Sequence, residues 1–134
     1  MKALALPFLL LCAATAAYAA PPMVDSPLGT WQNPKRTISV RIEMCGNELC
    51  GHIIAASSQA QADARDAGVN NLIGLELLRD YQQSGPGHWS GTVYVPDMGR
   101  SFSSHIVQSA PNTLRISGCL VAGFICKSQE WTRL

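Results

Sequence analysis

Residues 89–108 read WSGTVYVPDMGRSFSSHIVQ, and this stretch decides the fold. Trp89, Gly91, Val93 and Val95 alternate with Ser90, Thr92 and Tyr94, the period of two that marks a strand with one buried face. Pro96-Asp97-Met98-Gly99 follows as a turn, because proline presets the φ of the first central position and glycine closes the bend. Residues 101–108 then return as a second strand, so the segment is an antiparallel hairpin.

The same grammar extends in both directions. Toward the C-terminus, Pro111-Asn112 is a turn between strands at 101–108 and 113–119, and residues 124–132 form the last strand. Toward the N-terminus, Ile38, Val40, Ile42 and Met44 alternate with Thr37, Ser39, Arg41 and Glu43. The segment Cys45-Gly46-Asn47-Glu48-Leu49-Cys50 interrupts that strand, which resumes over 51–56. Only residues 57–67 look helical, with Ser57 or Ser58 as the cap and Gly68 as the stop. Residues 72–79 read as a buried strand, although Glu76 and the Leu77-Leu78 pair leave a helical alternative open. With a first short strand at 29–33 the chain is all-β, a small antiparallel up-and-down barrel of about eight strands with one short helix. Eight strands is the size at which a barrel holds either its own side chains or one small ligand.

The two ends frame this domain, residues 29–134. Residues 1–20 have the anatomy of a secretory signal peptide: Lys2, an apolar run interrupted by Pro7, and small residues ending Ala17-Tyr18-Ala19-Ala20, with cleavage expected after Ala19 or Ala20. The run is too short to span a bilayer stably. A lipid anchor on Cys12 is disfavoured because Leu9-Leu10-Leu11 precede it where processing requires a small residue. Residues 21–28, with Pro21, Pro22 and Pro27, read as an extended arm with little part in packing.

Removing the signal takes Lys2 with it, leaving nine basic residues against nine acidic ones. A neutral chain without a Lys/Arg cluster lacks what non-specific phosphate binding requires, so nucleic acid is not an expected partner. Of the five cysteines, Cys12 leaves with the signal. Four cysteines in an oxidising compartment imply two disulfides, in one of three connectivities. Each sequential pair brackets a turn-like segment, so the expected bonds are Cys45–Cys50 and Cys119–Cys126. Placing Cys45 opposite Cys50 sets Glu43 across from His52 and Ile42 across from Ile53, and keeps the apolar face intact.

Gly29-Thr30-Trp31 at the start and Trp131-Thr132-Arg133 at the end resemble the calycin barrels, the lipocalin-like superfamily. That resemblance implies that Arg133 lies across Trp31 and closes one end of the barrel, a structural cation–π contact. More closely, the chain resembles DUF2147, a bacterial family of secreted proteins. The matching pieces are Gly29-x-Trp31, Leu49-Cys50-Gly51-x-Ile53, Gly74-Leu75, Trp89-Ser90-Gly91-x-Val93-Tyr94-x-Pro96-x-x-Gly99, Leu114-x-Ile116-x-Gly118-Cys119 and Ser128-Gln129-x-Trp131-Thr132-Arg133. The chain departs at 59–71, where the family more often carries an Asn-Pro and a basic stretch, and in having a single Gly91 where many relatives have two glycines. The resemblance implies export and a β-rich fold, and names no substrate.

The chemistry-bearing residues point away from catalysis. The cysteine intervals, C-x4-C and C-x6-C, match neither zinc sites nor C-x-x-C redox motifs. His52, His88 and His105 lie on different strands, with Glu43, Asp97 and Glu130 as candidate partners, and no spacing preorganises them for metal or base chemistry. Ser101, Ser103 and Ser104 near His105 form no nucleophile elbow. Asp63, Asp66, Asn70 and Asn71 lack the alternating ligands of a calcium loop. No cofactor or metal is expected. The expected function is non-enzymatic binding of a small apolar or amphipathic ligand, in the periplasm or secreted, contacted by Trp89, Tyr94, Phe102 and His105, with Ile106 as further lining. The second reading is a protein-interaction or envelope-maintenance domain with a filled core, and a hydrolase is the third. No stable membrane anchor is expected after cleavage.

Overall fold

The computed structural model describes residue 3 and residues 12–16, 26–120 and 125–134. The expected signal peptide outside residues 3 and 12–16, its expected cleavage site, residues 21–25 of the expected arm and residue 124 of the last expected strand lie outside the described residues. Among the described residues, no helix is long and apolar enough to cross a membrane.

Eight antiparallel strands, each hydrogen-bonded to its sequence neighbours, close into a barrel: β1 (Gly29–Gln32), β2 (Ile38–Cys45), β3 (Glu48–Ala56), β4 (Glu76–Gly85), β5 (His88–Val95), β6 (Arg100–Ala110), β7 (Thr113–Cys119) and β8 (Cys126–Arg133). Closure is made by β1 against β8, with Trp31 opposite Arg133, and it removes the sheet edges that would otherwise template aggregation. One helix, α1 (Ser58–Asp66), connects β3 to β4. Its N-cap is Ser57, whose hydroxyl accepts the Ala60 N–H at 3.1 Å, and such a cap stabilises by about 1 kcal/mol.

Three expectations are corrected. The β2–β3 hairpin pairs Cys45 with Glu48, Glu43 with Cys50, Arg41 with His52 and Val40 with Ile53, two residues away from the expected register. The cause is a tighter turn: Gly46, at φ 69°, supplies the positive φ that a two-residue type II′ hairpin requires at its first central position. A shift of two preserves side-chain parity, so Val40, Ile42, Leu49 and Ile53 still face inward and are buried. Met44 shares their parity but lies 52 % exposed near the hairpin tip. Residues 72–75 form a turn, held by Gly74 N–H to Ile53 O at 2.7 Å, and β4 runs on to Gly85, six residues past its expected end. A bulge at Asp80, φ 56°, interrupts β4 where its pairing to β5 shifts. Both local disulfides, Cys45–Cys50 and Cys119–Cys126, are formed.

The end of the barrel where β1 begins and β8 finishes is packed solid. Trp31 is fully buried, the Arg133 guanidinium carbon sits 4.3 Å from its ring centroid, and its indole N–H donates to Pro27 O at 2.8 Å. Arg133 also donates to Leu28 O at 2.7 Å, Ser26 O at 2.6 Å and Pro111 O at 3.1 Å. Residues 26–28 therefore do more than lead in: their carbonyls dock the arm beneath the barrel. Gly29 is part of this closure, since at φ 128° a Cβ there would stand 2.8 Å from Arg133 Nη1. Arg133→Ala removes the ring contact and these hydrogen bonds, an expected loss of about 2 kcal/mol. That corresponds to a melting temperature lower by roughly 10 °C. A thermal melt within 2 °C of wild type would contradict this role.

Candidate functional site: an open cavity at one end of the barrel

The opposite end, where β5 finishes and β8 begins, holds a cavity of about 500 Å³. Strand parity explains its floor. Leu78, Val93, Ile116 and Trp131 point inward from β4, β5, β7 and β8 and are buried, and Phe102 faces in beside them from β6. Gly118 contributes no side chain at the same level: a Cβ there would meet only Val93 Cγ1 at 3.4 Å and Phe102 Cβ at 3.9 Å, ordinary contact distances.

The rim is polar. Asn33, Lys35 and Thr37 come from the β1–β2 connection, Gln59 and Asp63 from α1, Asp97 from the β5–β6 turn, and Lys127 and Gln129 from β8. Gln129 is fixed by the Trp131 indole, which donates to its Oε1 at 3.2 Å. The Cys119–Cys126 bond ties together the ends of β7 and β8 that carry Leu120 and Lys127 to the cavity wall. The turn at Gly99 rests on the C-terminal end of α1, where a Cβ would come within 3.1 Å of Ala67 O. Helix and turn together form one side of the mouth.

The expected ligand contacts separate into different places. Phe102 lines the cavity, and the Arg100 guanidinium carbon lies 5.6 Å from its ring centroid. Tyr94 borders the cavity, but its ring lies 5.2 Å from the Arg79 guanidinium carbon, on the outward face that Arg79 shares with Thr92. Trp89 belongs to the packed core, 8 % exposed, paired with Ile106 and away from the cavity lining. His105 is on the outer wall, its Nδ1 3.0 Å from Ser90 Oγ, because its neighbours Ser104 and Ile106 take the inward positions. The other histidines are also outside: His52 is 3.7 Å from Glu76, which is not among its expected partners, and His88 is exposed. Among the described residues, no three His, Cys, Asp or Glu side chains converge as metal ligands would.

Below the cavity, Tyr81 crosses the lumen to donate its hydroxyl to Ser104 Oγ at 2.7 Å, and both residues are buried. Burial drives the Tyr81 phenol well above its usual range, opposed only in part by the Ser104 hydrogen bond, so the group is neutral. Tyr81, Ile106, Leu114 and Trp89 fill the barrel between the cavity floor and the Trp31 plug.

The family model described as "Uncharacterized protein conserved in bacteria (DUF2147)" matches residues 29–133, the whole barrel. The chain belongs to the DUF2147 family. In this DUF2147 barrel the family pieces acquire physical reasons: Gly29-x-Trp31 and Arg133 make the plug, Gly91 lies beneath the Tyr81 ring, and Gly118 keeps the cavity open. Among solved structures, the chain is similar to Helicobacter pylori protein HP1028, described as belonging to the lipocalin family, with a TM-score of 0.65, 18 % identity, and coverage of 80 % of this chain and 82 % of that one. At that identity the likeness concerns the fold, a lipocalin-like barrel. No curated protein matches the chain.

Proposed function

We propose that this protein is an exported, non-enzymatic binder that holds one small apolar or amphipathic molecule in the open end of its barrel, in the periplasm or outside the cell. The observation that carries the reading is the cavity itself. Its volume of about 500 Å³ falls within the 300–1,000 Å³ of ordinary small-molecule sites, and an apolar floor under a few convergent polar groups is their usual composition. Export is supported by the signal-like residues 1–20 and by two disulfides, which persist in oxidising compartments.

The test is to purify the mature protein from the periplasm, compare native with denaturing mass spectra, and extract the protein with organic solvent. A stoichiometric species of lipid-like size, lost on denaturation, is expected. A bare native mass, together with failure to take up any apolar probe, would replace this reading by that of a partner-binding domain. A cavity-filling change provides the matching control. A Cβ at Gly118 meets only ordinary clearances and the rest of a leucine would extend into the cavity, so Gly118→Leu should leave the melting temperature within about 3 °C while weakening probe binding at least about tenfold, a loss of roughly 1.4 kcal/mol.

A further inference from the structure

Four charged side chains line the mouth: Lys127 from β8, Lys35 from the β1–β2 connection, Asp63 from α1 and Asp97 from the β5–β6 turn. They are not equivalent. Asp63 and Asp97 belong to the helix and a turn, outside the barrel wall, and Asp63 already accepts a hydrogen bond from Gln59 Nε2 at 2.8 Å. Lys127 belongs to the wall itself. It pairs with Gly118, four pairs along β8 from Trp131 opposite Leu114, and therefore has the lumen-facing parity of Gln129 and Trp131.

Lys127 and Gln129 are exposed at the mouth, so the ammonium is solvated there while its strand position keeps lumen parity. An open sheet uses inward charges to blunt its edges, but this barrel is closed and has no edge to protect. Among the described residues, neither Lys127 nor Lys35 has an ion-pair partner. Directly across from Lys127, Gly118 leaves the lumen open toward Val93 and Phe102. A cation thus stands at the top of an apolar channel, with the amide of Gln129 one inward position below it.

Resting on the binding reading above, we infer that the ligand is a single-chain amphiphile with a monoanionic headgroup. Its anionic oxygens are received by Lys127, with the amide of Gln129 on the same strand face, and its apolar chain descends past Gly118 onto Phe102, Ile116 and Trp131. An anion at this point gains charge-assisted hydrogen bonds and an apolar chain gains burial. A cationic headgroup would meet the ammonium groups first.

The experiment uses dodecanoate, dodecanol and dodecyltrimethylammonium as probes, below their micellar concentrations, titrated calorimetrically into the disulfide-intact protein. Wild type should bind dodecanoate about tenfold or more tighter than dodecyltrimethylammonium. Lys127→Ala should weaken dodecanoate by roughly tenfold, Lys127→Glu should weaken it further and reverse the preference, and Lys127→Arg should retain it. Dodecanol should stay within about twofold of wild type in all three variants, which also certifies their folding. If dodecanol binds but dodecanoate is indifferent to Lys127→Glu, the headgroup assignment is wrong and the cavity reading stands. If none of the three probes binds wild type, both fall together.

Discussion

Trp31→Ala is expected to lower the melting temperature by roughly 20 °C, the largest effect of any single truncation in this barrel. The side chain is fully buried, and three kinds of interaction end at once when it goes. Removing a buried tryptophan leaves a cavity and forfeits its transfer free energy, together about 3–5 kcal/mol. The Pro27 carbonyl loses the indole donor that it accepts at 2.8 Å, and Arg133 loses the ring 4.3 Å from its guanidinium carbon. Because Trp31 pairs with both Val40 of β2 and Arg133 of β8, the loss falls on the strand that closes the barrel. Circular dichroism melts at pH 7 with disulfides intact measure it, and Trp31→Phe separates the terms: it keeps a ring under Arg133 and should recover about half the loss. A Trp31→Ala melt less than 5 °C below wild type would mean that the plug is not what holds β1 to β8.

Gly91→Ala is expected to destabilise by about 2–3 kcal/mol, more than Gly51→Ala, even though both add one methyl group to the barrel interior. The reason lies in which atoms are in the way. At Gly91 the new Cβ would stand 2.7 Å from Arg79 O, 2.7 Å from Tyr81 Cγ and 2.9 Å from Tyr81 Cα. Two of those are backbone, and the ring is pinned by the Tyr81 hydrogen bond to Ser104. The geometry is a consequence of register: Gly91 pairs with Ser104, so the Tyr81 ring reaches its partner by passing over a residue with no side chain. At Gly51 the near atoms are Val40 Cγ1 at 2.8 Å, Leu78 Cδ1 at 2.9 Å and Leu78 Cβ at 3.1 Å, all side-chain atoms, none of them backbone. Urea denaturation of the two variants against wild type settles the ordering, and an equal or inverted pair of values would refute the backbone argument. Tyr81→Phe in the Gly91→Ala background should not rescue it, because the carbonyl of Arg79 remains.

Much of this architecture was legible along the chain because strand side chains repeat every two residues. The alternation at 89–95 and at 37–44 identified β5 and β2 and their inward faces, and Ser57 with Gly68 bracketed α1. Parity survived even the misplaced β2–β3 register, since tightening the turn by two residues returns each side chain to the same face. The end of β4 was not legible: apart from Tyr81, residues 80–85 are polar or glycine, and what makes them strand is their pairing to β5 after a bulge at Asp80.

The site was harder to read. His105 and Tyr94 were candidates for their chemistry, yet His105 alternates with buried Ser104 and Ile106, and Tyr94 alternates with Val93 and Val95, so parity already argued for the outer face. Lys127 and Gln129 went unnoticed because they look like surface residues. Counting back in twos from Trp131 would have placed them on the lumen-facing side of β8, at the mouth. No local signal reveals that Tyr81 and Ser104, separated by 23 positions, meet beneath the cavity.

By itself, then, the sequence determined an all-β barrel of about eight strands, one helix, the two local disulfides, the plug through Gly29-Thr30-Trp31 and Arg133, and the family through its pieces from Gly29 to Arg133. These are properties of short stretches, in which alternation, turn chemistry and cysteine spacing act between near neighbours. Which half of the barrel is solid and which is open was decided only by the tertiary structure. A void is the volume that side chains from six strands jointly leave unfilled. Phe102 and Trp131 border it, while Trp89, with the same inward parity, is buried in packing.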